Sequence, residues 1–149
     1  MPTDYSLIIA GEKVAGDKGT FSVINPATEE SVAECPAASL EQLEYAVQAA
    51  TKAFQSWQHS SDDDRRQLMH RIADRIEANA AELAEIIVQE QGKPMFLAQA
   101  EVGGAVAWTR HTADLEIPVE TLEDSEQKRI ELHRKPLGVV ASITPWNWP

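Results

Sequence analysis

Three observations predict an α/β fold for this chain of 149 residues. Apolar residues recur at spacings of three and four over much of residues 39–115, which predicts about four amphipathic helices. Short apolar or alternating segments on either side of this region predict peripheral strands. Residues 139–143 are instead almost continuously apolar and β-branched, which is typical of a strand buried on both faces of a parallel sheet.

The composition is that of an ordinary globular domain and argues against several partners. Hydrophobic residues make up 43% and charged residues 25% of the chain, which suffices for one core. The formal net charge of −11 argues against binding nucleic acid or an anionic membrane surface, because both require clustered Lys and Arg. No segment has the length and apolarity to span a bilayer, and the N-terminus lacks a signal-peptide pattern. We therefore expect a cytoplasmic protein.

Neither the single cysteine nor the histidines predict a reactive site. Cys35 has no cysteine partner, so no internal disulfide forms, and this suits a reducing compartment. It lacks a neighbouring basic residue that would activate its thiolate, and we expect a structural role. The histidines show no metal-ligand spacing, so no metal site is predicted from them. They are His59, His70, His111 and His133.

The first predicted elements are short strands. Residues 7–14 are apolar on either side of an Ala10-Gly11 interruption, which predicts a small hairpin. Residues 21–23 alternate and predict a strand that ends at the Asn25-Pro26 turn. Residues 31–36 are typical of the end of a short strand.

Ser39 begins the first predicted helix. Gln42 follows three residues later and completes a capping box, in which two unpaired backbone N–H groups are satisfied. Apolar residues then recur at helical spacing along this helix, and we expect them to face the core. They are Leu40, Leu43, Val47, Ala50, Phe54 and Trp57.

Residues 60–64 predict the start of the next helix, because serine and aspartate favour a helix N-terminus. A metal site formed by the three aspartates is a weaker alternative, since successive carboxylates cannot share one helical face. Asn79 with Glu82 predicts a second cap. Two helices, or one bent at Asn79, are expected to end at residues 92–94. The predicted core residues are Leu68, Ile72 and Ile76, followed by Leu83, Ile86 and Ile87.

The last predicted helix extends from Phe96 to about Leu115. Gly103-Gly104 lowers its helix propensity, so we expect these glycines to permit close contact with a neighbouring helix. No strand precedes them, and they do not form a phosphate-binding loop. The residues predicted to share one face are Ala100, Gly104, Trp108, His111 and Leu115.

Two different patterns follow this helix. Residues 120–126 are acidic and predict a solvated connector. Residues 129–134 alternate between apolar and charged side chains, which predicts a half-exposed antiparallel strand. The pattern then becomes continuously apolar, so we predict a boundary between an N-terminal part, residues 1–136, and the first strand and turn of a second domain, residues 137–149.

Asn147 is the strongest candidate for chemistry. Pro145 ends the predicted buried strand, because it cannot donate to a sheet. Asn147 then lies on a stiff turn beyond the carboxyl end of the strand, where α/β sheets bind ligands. Its amide can donate to a substrate oxygen there. The alternative is that Asn147 only caps the turn while the neighbouring tryptophans pack.

The sequence ITPWNWP at residues 143–149 resembles the aldehyde dehydrogenase superfamily. Four further segments occur in the order and at the spacings of that family's N-terminal part, so the resemblance covers nearly the whole chain. They are residues 7–14, 23–30, 53–57 and 90–94. The resemblance implies the N-terminal portion of the aldehyde dehydrogenase fold, in which peripheral strands and about four helices precede the first buried strand of the dinucleotide-binding sheet.

The resemblance further implies an oxidoreductase that oxidises an aldehyde to a carboxylic acid with NAD or NADP, through a cysteine thiohemiacetal. Asn147 matches the family's asparagine whose side-chain amide binds the oxyanion of that intermediate. Trp148 stands where many relatives have phenylalanine, which keeps an aromatic wall. The residues that match the strand end and turn beside the cofactor are Ile143, Thr144, Pro145, Trp146 and Asn147.

The resemblance also implies that parts of the enzyme have no counterpart here. The cysteine nucleophile, the glutamate that activates water and the catalytic domain are absent, so this chain alone is expected to be inactive. Neither the aldehyde nor the choice between NAD and NADP follows from these residues.

Two weaker implications concern ions and partners. A monovalent-cation site is implied at Val23, Ile24 and Glu90, although Glu90 replaces a usual aspartate. A homo-oligomer, dimer or tetramer, is implied, with residues 129–135 in a strand that helps to assemble it. The alternative function is a non-catalytic interaction module that pairs with another subunit.

Overall fold

The computed structural model describes residues 5–148, which form short strands and long helices and confirm the α/β class. The strands are β1 (Leu7–Ile9), β2 (Glu12–Val14), β3 (Thr20–Ile24), β4 (Ser31–Pro36), β5 (Glu120–Asp124) and β6 (Arg129–Leu132). The helices are α1 (Leu40–Trp57), α2 (Asp62–Ala78), α3 (Ala80–Gln91) and α4 (Met95–Ala113).

The strands pair as three antiparallel hairpins, in the order β1-β2, β3-β4 and β5-β6. The predicted hairpin of residues 7–14 is confirmed, with Leu7 opposite Val14. Its turn residues Ala10 and Gly11 have φ angles of 55° and 84°, as the tightest hairpin turns require. The strands predicted at residues 21–23 and 31–36 are confirmed as β3 and β4.

The predicted starts of α1 and α2 and the predicted end of α3 are confirmed. At α1, Gln42 N donates to Ser39 Oγ at 3.1 Å, and Ser39 N donates to Gln42 Oε1 at 3.0 Å. At α2, Asp64 N donates to Ser61 Oγ at 3.1 Å. Gly92, with φ of 72°, ends α3 in the left-handed region, where glycine carries no steric penalty.

The core lies where α4 packs against α2 and α3. Its buried residues are mostly small, which allows the helix backbones to approach closely. They are Ala73, Ala84, Ile87, Ala98, Val102, Val106 and Ala113. This arrangement places the loop between α3 and α4 at one end of the core.

The apolar stripe of α1 does not face a core in the described part of the chain, so that prediction is wrong. No residue of α1 is buried, and Leu40 is 78% exposed. Phe54 is only half-buried, and Trp57 is exposed. Amphipathic spacing predicts which face of a helix is apolar, but burial of that face also requires another element that packs against it. Residues 5–148 place no layer over this face.

Two predictions about α2 and α3 are wrong in detail. Asn79 does not cap α3 with its side chain; its Nδ2 instead donates to the carbonyl of Arg75 at 2.6 Å. Asn79 already ends α2, and its side chain satisfies a carbonyl of that helix. Ile72 is exposed, while its neighbour Ala73 is buried. The helix is thus rotated so that a small residue meets α4.

Helix α4 is also rotated relative to the predicted face. Trp108 is exposed, and the buried stripe contains Ala98, Glu101 and Val102 instead. A Cβ at either glycine of Gly103-Gly104 would meet no atom within 4 Å among the described residues. The close helix contact predicted there is therefore absent from this part of the protein.

The C-terminal region differs most from expectation. Residues 120–124 form β5 rather than a connector, and Glu120 lies opposite Leu132 of β6. The predicted antiparallel strand is confirmed as β6, although its residues are all exposed. Residues 139–143 form no strand, and Ile143 is 94% exposed. A buried parallel strand requires a hydrogen-bonded neighbour and covering layers, and residues 5–148 supply neither.

Candidate active site

The candidate site is the turn of residues 145–148 and the segment that leads into it. Trp148 N donates to the carbonyl of Pro145 at 3.4 Å and closes the turn. Ile143, Trp146 and Asn147 are all exposed, and Trp146 is 86% exposed. The structure therefore brings the predicted site residues together in one accessible strip. Residue 149, the last of the predicted motif, lies outside the described residues.

Lys93, from the loop between α3 and α4, contacts this turn. Its Nζ donates to the backbone carbonyl of Asn147 at 2.8 Å. The same Nζ lies 4.6 Å from the centroid of the Trp148 ring, within the range of a cation–π interaction. Within residues 5–148, no hydrogen bond engages the side chain of Asn147. The backbone of Asn147 is thus held while its amide stays available.

Glu101 of α4 neutralises Lys93. Its Oε2 accepts from Lys93 Nζ, and the Glu101 side chain is only 8% exposed. Burial of an ion pair costs desolvation free energy, which close geometry must offset. Its other oxygen, Oε1, is buried without a hydrogen-bond partner among residues 5–148, as is Nε2 of Gln91. Gln91 at the end of α3 and Glu101 in α4 thus each keep one buried polar atom without a hydrogen bond among residues 5–148.

Glu90 adds a second carboxyl to this region. Burial, and secondarily the negative charge of Glu101, raise the pKa of Glu90. Perturbed carboxyl groups concentrate at functional sites, although structural ion pairs produce them as well. The ends of α3 and α4 around Lys93 therefore combine an ion pair with a carboxyl whose pKa is raised.

The residues predicted for a monovalent cation come from two elements that meet. The pairing of β3 with β4 shifts register between Val23 and Ile24. In the turn that follows, the ring of Pro26 lies so close to Gly92 that a Cβ there would be 2.9 Å from Pro26 Cγ. This contact brings the turn to the end of α3, where Glu90 lies. Among residues 5–148, no cluster of three or more His, Cys, Asp or Glu side chains is arranged to hold a metal.

Sequence reasoning did not identify Lys93 and Glu101 as site residues. One signal for Glu101 was present, because it shares helical spacing with Ala98 and Val102, and a charged residue on a buried stripe needs a partner. The contact from Lys93 to Asn147 joins residues 54 positions apart. A periodic pattern in the sequence does not reveal a contact between residues that are so far apart in the chain.

Other charged clusters have structural roles. Arg110 of α4 binds Asp74 at 2.8 Å and Glu77 at 2.7 Å, so it ties α4 to α2. His70 of α2 forms a second link, at 2.9 Å, to Asp114, which directly follows α4. These groups lie on an exposed surface and line no described cavity with the candidate site. Among residues 5–148, no helix combines the length and apolarity needed to cross a bilayer.

Comparison with known proteins gives consistent matches over nearly the whole chain. The model of a family described as the aldehyde dehydrogenase family matches residues 13–149. A probable aldehyde dehydrogenase from a Pseudomonas species is 38% identical over 148 residues, which are 99% of this chain and 30% of that protein. A 3-sulfolactaldehyde dehydrogenase from Pseudomonas putida is 36% identical, over 95% of this chain and 30% of its own length.

Solved structures give the same result. A succinate-semialdehyde dehydrogenase from Burkholderia pseudomallei superposes with a TM-score of 0.91 and 33% identity, over 99% of this chain and 31% of its own. A betaine aldehyde dehydrogenase from Staphylococcus aureus, in complex with NAD+, has a TM-score of 0.91 and 27% identity, over 99% and 31%. This chain therefore belongs to the aldehyde dehydrogenase family, where it corresponds to the N-terminal part and spans about 30% of the length of its relatives.

Proposed function

We propose that the whole protein oxidises an aldehyde to a carboxylic acid with NAD or NADP, and that Asn147 donates to the oxyanion of a cysteine-bound thiohemiacetal. The single observation that supports this role is the exposed amide of Asn147 on a turn whose backbone is held by Lys93. Both the nucleophile and the base of this reaction lie outside the described residues.

The physical contribution of Asn147 is that of a fixed neutral donor. As the carbonyl carbon of the substrate becomes tetrahedral, negative charge develops on its oxygen. A donor that already points there needs no reorganisation, and such a donor lowers the barrier by roughly 3–4 kcal/mol. Pro145 restricts the backbone on one side of Asn147, and the hydrogen bond from Lys93 restrains it on the other.

The strip of residues 143–146 fits the nicotinamide end of a dinucleotide. Ile143 and Trp146 are exposed apolar side chains, and Thr144 and Pro145 between them are exposed as well. Such a strip can bury the apolar surface of a planar ring. The bound cofactor would accept a hydride from the aldehyde carbon. One structural neighbour is a complex with NAD+ and another a complex with NADP, and we propose one of these two for this protein.

The substrate side of the proposal is tested by an activity assay on the protein at its full native length. A panel of aldehydes is supplied with NAD or NADP, and the carboxylic acid product is identified by mass spectrometry. We expect acid and reduced cofactor to form in equal amounts from at least one aldehyde. Reduced cofactor without acid, or neither product across the panel, would contradict the proposal.

Three further properties belong to the same proposal. The carbonyl groups of Val23 and Ile24 with the carboxylate of Glu90 hold a monovalent cation. The protein is a homo-oligomer to which residues 129–135 contribute, and the exposure of β6 in this chain is consistent with that role. It resides in the cytoplasm. The boundary at residues 136 and 137 stays a prediction, and membership of an enzyme family disfavours the alternative of a non-catalytic module.

A further inference from the structure

We propose that Lys93 is a positioning residue for Asn147 and that the buried carboxylate of Glu101 holds Lys93 in place. This inference rests on the oxyanion role proposed for Asn147. The structural part of it, which is the anchoring of the turn, stands on contacts that do not depend on catalysis.

The ammonium group of Lys93 is engaged on three sides. It pairs with Glu101 Oε2, donates to the carbonyl of Asn147 at 2.8 Å and faces the ring of Trp148 at 4.6 Å. A lysine ammonium has three N–H donors, so these contacts match its capacity. The Lys93 side chain is 15% exposed. Lys93 therefore acts as a fixed point between helix α4 and the turn.

A hydrogen bond to the backbone carbonyl of Asn147 also restrains its side-chain amide, because the carbonyl carbon and Cβ are bonded to the same Cα. A charge-assisted hydrogen bond to the carbonyl limits rotation of that peptide group. The direction of the Cα–Cβ bond is then limited relative to α4. Residues 139–143, which lead into the turn, form no strand in the described part of the chain. Within residues 5–148, the hydrogen bond from Lys93 is the one that joins the turn to the helical core.

Glu101 determines where Lys93 can lie. It belongs to the buried stripe of α4, and a carboxylate at 8% exposure requires a cation close by. Lys93 precedes α4 and Glu101 lies inside it, so their pairing also joins the loop to the helix. A purely structural pair of this kind would change stability but would leave the chemical step of the native enzyme unaffected.

The test combines Lys93→Met with Glu101→Gln, so that no buried charge is left unpaired. The matched control combines Lys128→Met with Glu123→Gln, an exposed Lys–Glu pair at 2.9 Å in the β5-β6 hairpin. Both double variants are made in the protein at its full native length, with and without Asn147→Ala. The measured quantities are kcat, KM for the aldehyde and hydrogen exchange of the peptide that covers residues 145–148.

With Asn147 present, we expect the double variant of Lys93 and Glu101 to lower kcat by roughly tenfold or more, because small misplacement of a reacting group has large effects on rate. KM should change little. In the Asn147→Ala background the same double variant should change kcat by only about twofold, the range expected when the interaction it supports is already gone. The control should leave kcat unchanged in both backgrounds. Equal losses in the two backgrounds, or an unchanged kcat, would overturn the proposal.

Hydrogen exchange separates this inference from the oxyanion role. If Asn147→Ala retains the kcat of the native protein, the oxyanion role fails and the positioning of a catalytic group fails with it. Hydrogen exchange alone then tests whether Lys93 anchors the turn. Faster exchange at residues 145–148 in the double variant of Lys93 and Glu101 would support it, and exchange equal to that of the control would overturn it.

Discussion

Glu90 shows how one half-buried carboxyl changes the pH dependence of stability. Burial and the charge of Glu101 raise the pKa of Glu90 in the folded protein above its unfolded value. The folded state therefore holds this proton more tightly, and stability falls as the pH rises through the interval between the two values. At neutral pH the ionised carboxylate is destabilising.

We expect Glu90→Gln to raise the Tm at neutral pH, because the amide carries no charge to desolvate. The gain should shrink as the pH falls through the interval between the folded and the unfolded pKa of Glu90, because the carboxyl of the native protein becomes neutral over that interval. Thermal unfolding in buffer free of alkali cations measures both effects. Glu85→Gln, on the exposed side of α3, is the control, and a gain for Glu90→Gln that does not vary with pH would contradict the account.

The same pair of proteins tests the proposed cation site. A cation bound only to the folded state raises the Tm by mass action. Adding an alkali chloride should raise the Tm of the native protein more than that of Glu90→Gln, relative to choline chloride at equal ionic strength. Equal effects on the two proteins would remove Glu90 from the site.

At the scale of elements, the start of α1 is held by more than its cap. Gln42 Oε1 accepts from the backbone N–H of Ser39 and of Asp17, both at 3.0 Å, and its Nε2 donates to the carbonyl of Ala15 at 2.7 Å. One side chain thus fixes both the helix N-terminus and the loop before β3. The capping box predicted from sequence explains the first of these contacts, and the fold adds the other two.

We expect Gln42→Ala to lower the free energy of unfolding by about 1–3 kcal/mol, because three backbone groups lose their partner. Gln48→Ala, on the same helix with one exposed contact to Glu44, should change it by less than about 0.5 kcal/mol. Urea unfolding of the two variants measures the difference. Equal effects would show that the contacts of Gln42 to the loop contribute nothing.

Elements that depend on neighbouring residues in the chain were predictable from sequence. Elements that depend on packing against distant segments were not. The Ala10-Gly11 turn, the Ser39 cap and the Gly92 helix end depend on residues within a few positions of each other. The stripe of α1 and residues 139–143 depend on layers that residues 5–148 do not provide. Their apolar patterns indicate surfaces that are expected to be buried. A pattern does not identify the segment that packs against such a surface.

The candidate site divides in the same way. The exposed turn that carries Asn147 was predictable, since Pro145 ends the apolar segment before it. The role of Asn147 comes from the resemblance to a family and stays a prediction. Lys93 and Glu101 were missed because their contacts span the loop, the helix and the turn. A charged residue on the buried stripe of α4 was the only local sign of this arrangement.

At the scale of the whole molecule, we propose that this chain contributes a donor and a cofactor-facing strip to a larger catalytic unit. It spans about 30% of the length of its relatives, and its large apolar side chains at Leu40, Trp57 and Ile143 are exposed. In the proposed enzyme these faces contact the parts that carry the nucleophile and the base. In this proposal, catalysis requires the whole protein, and Asn147 is the residue of this chain that takes part in it.

The most direct test of this account is kcat for Asn147→Ala in the protein at its full native length, with a productive aldehyde and a saturating cofactor. Loss of the oxyanion donor should lower kcat by roughly 10²–10³-fold while the Tm and the affinity for the cofactor stay close to native values. A kcat equal to that of the native protein would contradict the central claim, because it would show that the amide of Asn147 does not stabilise the transition state.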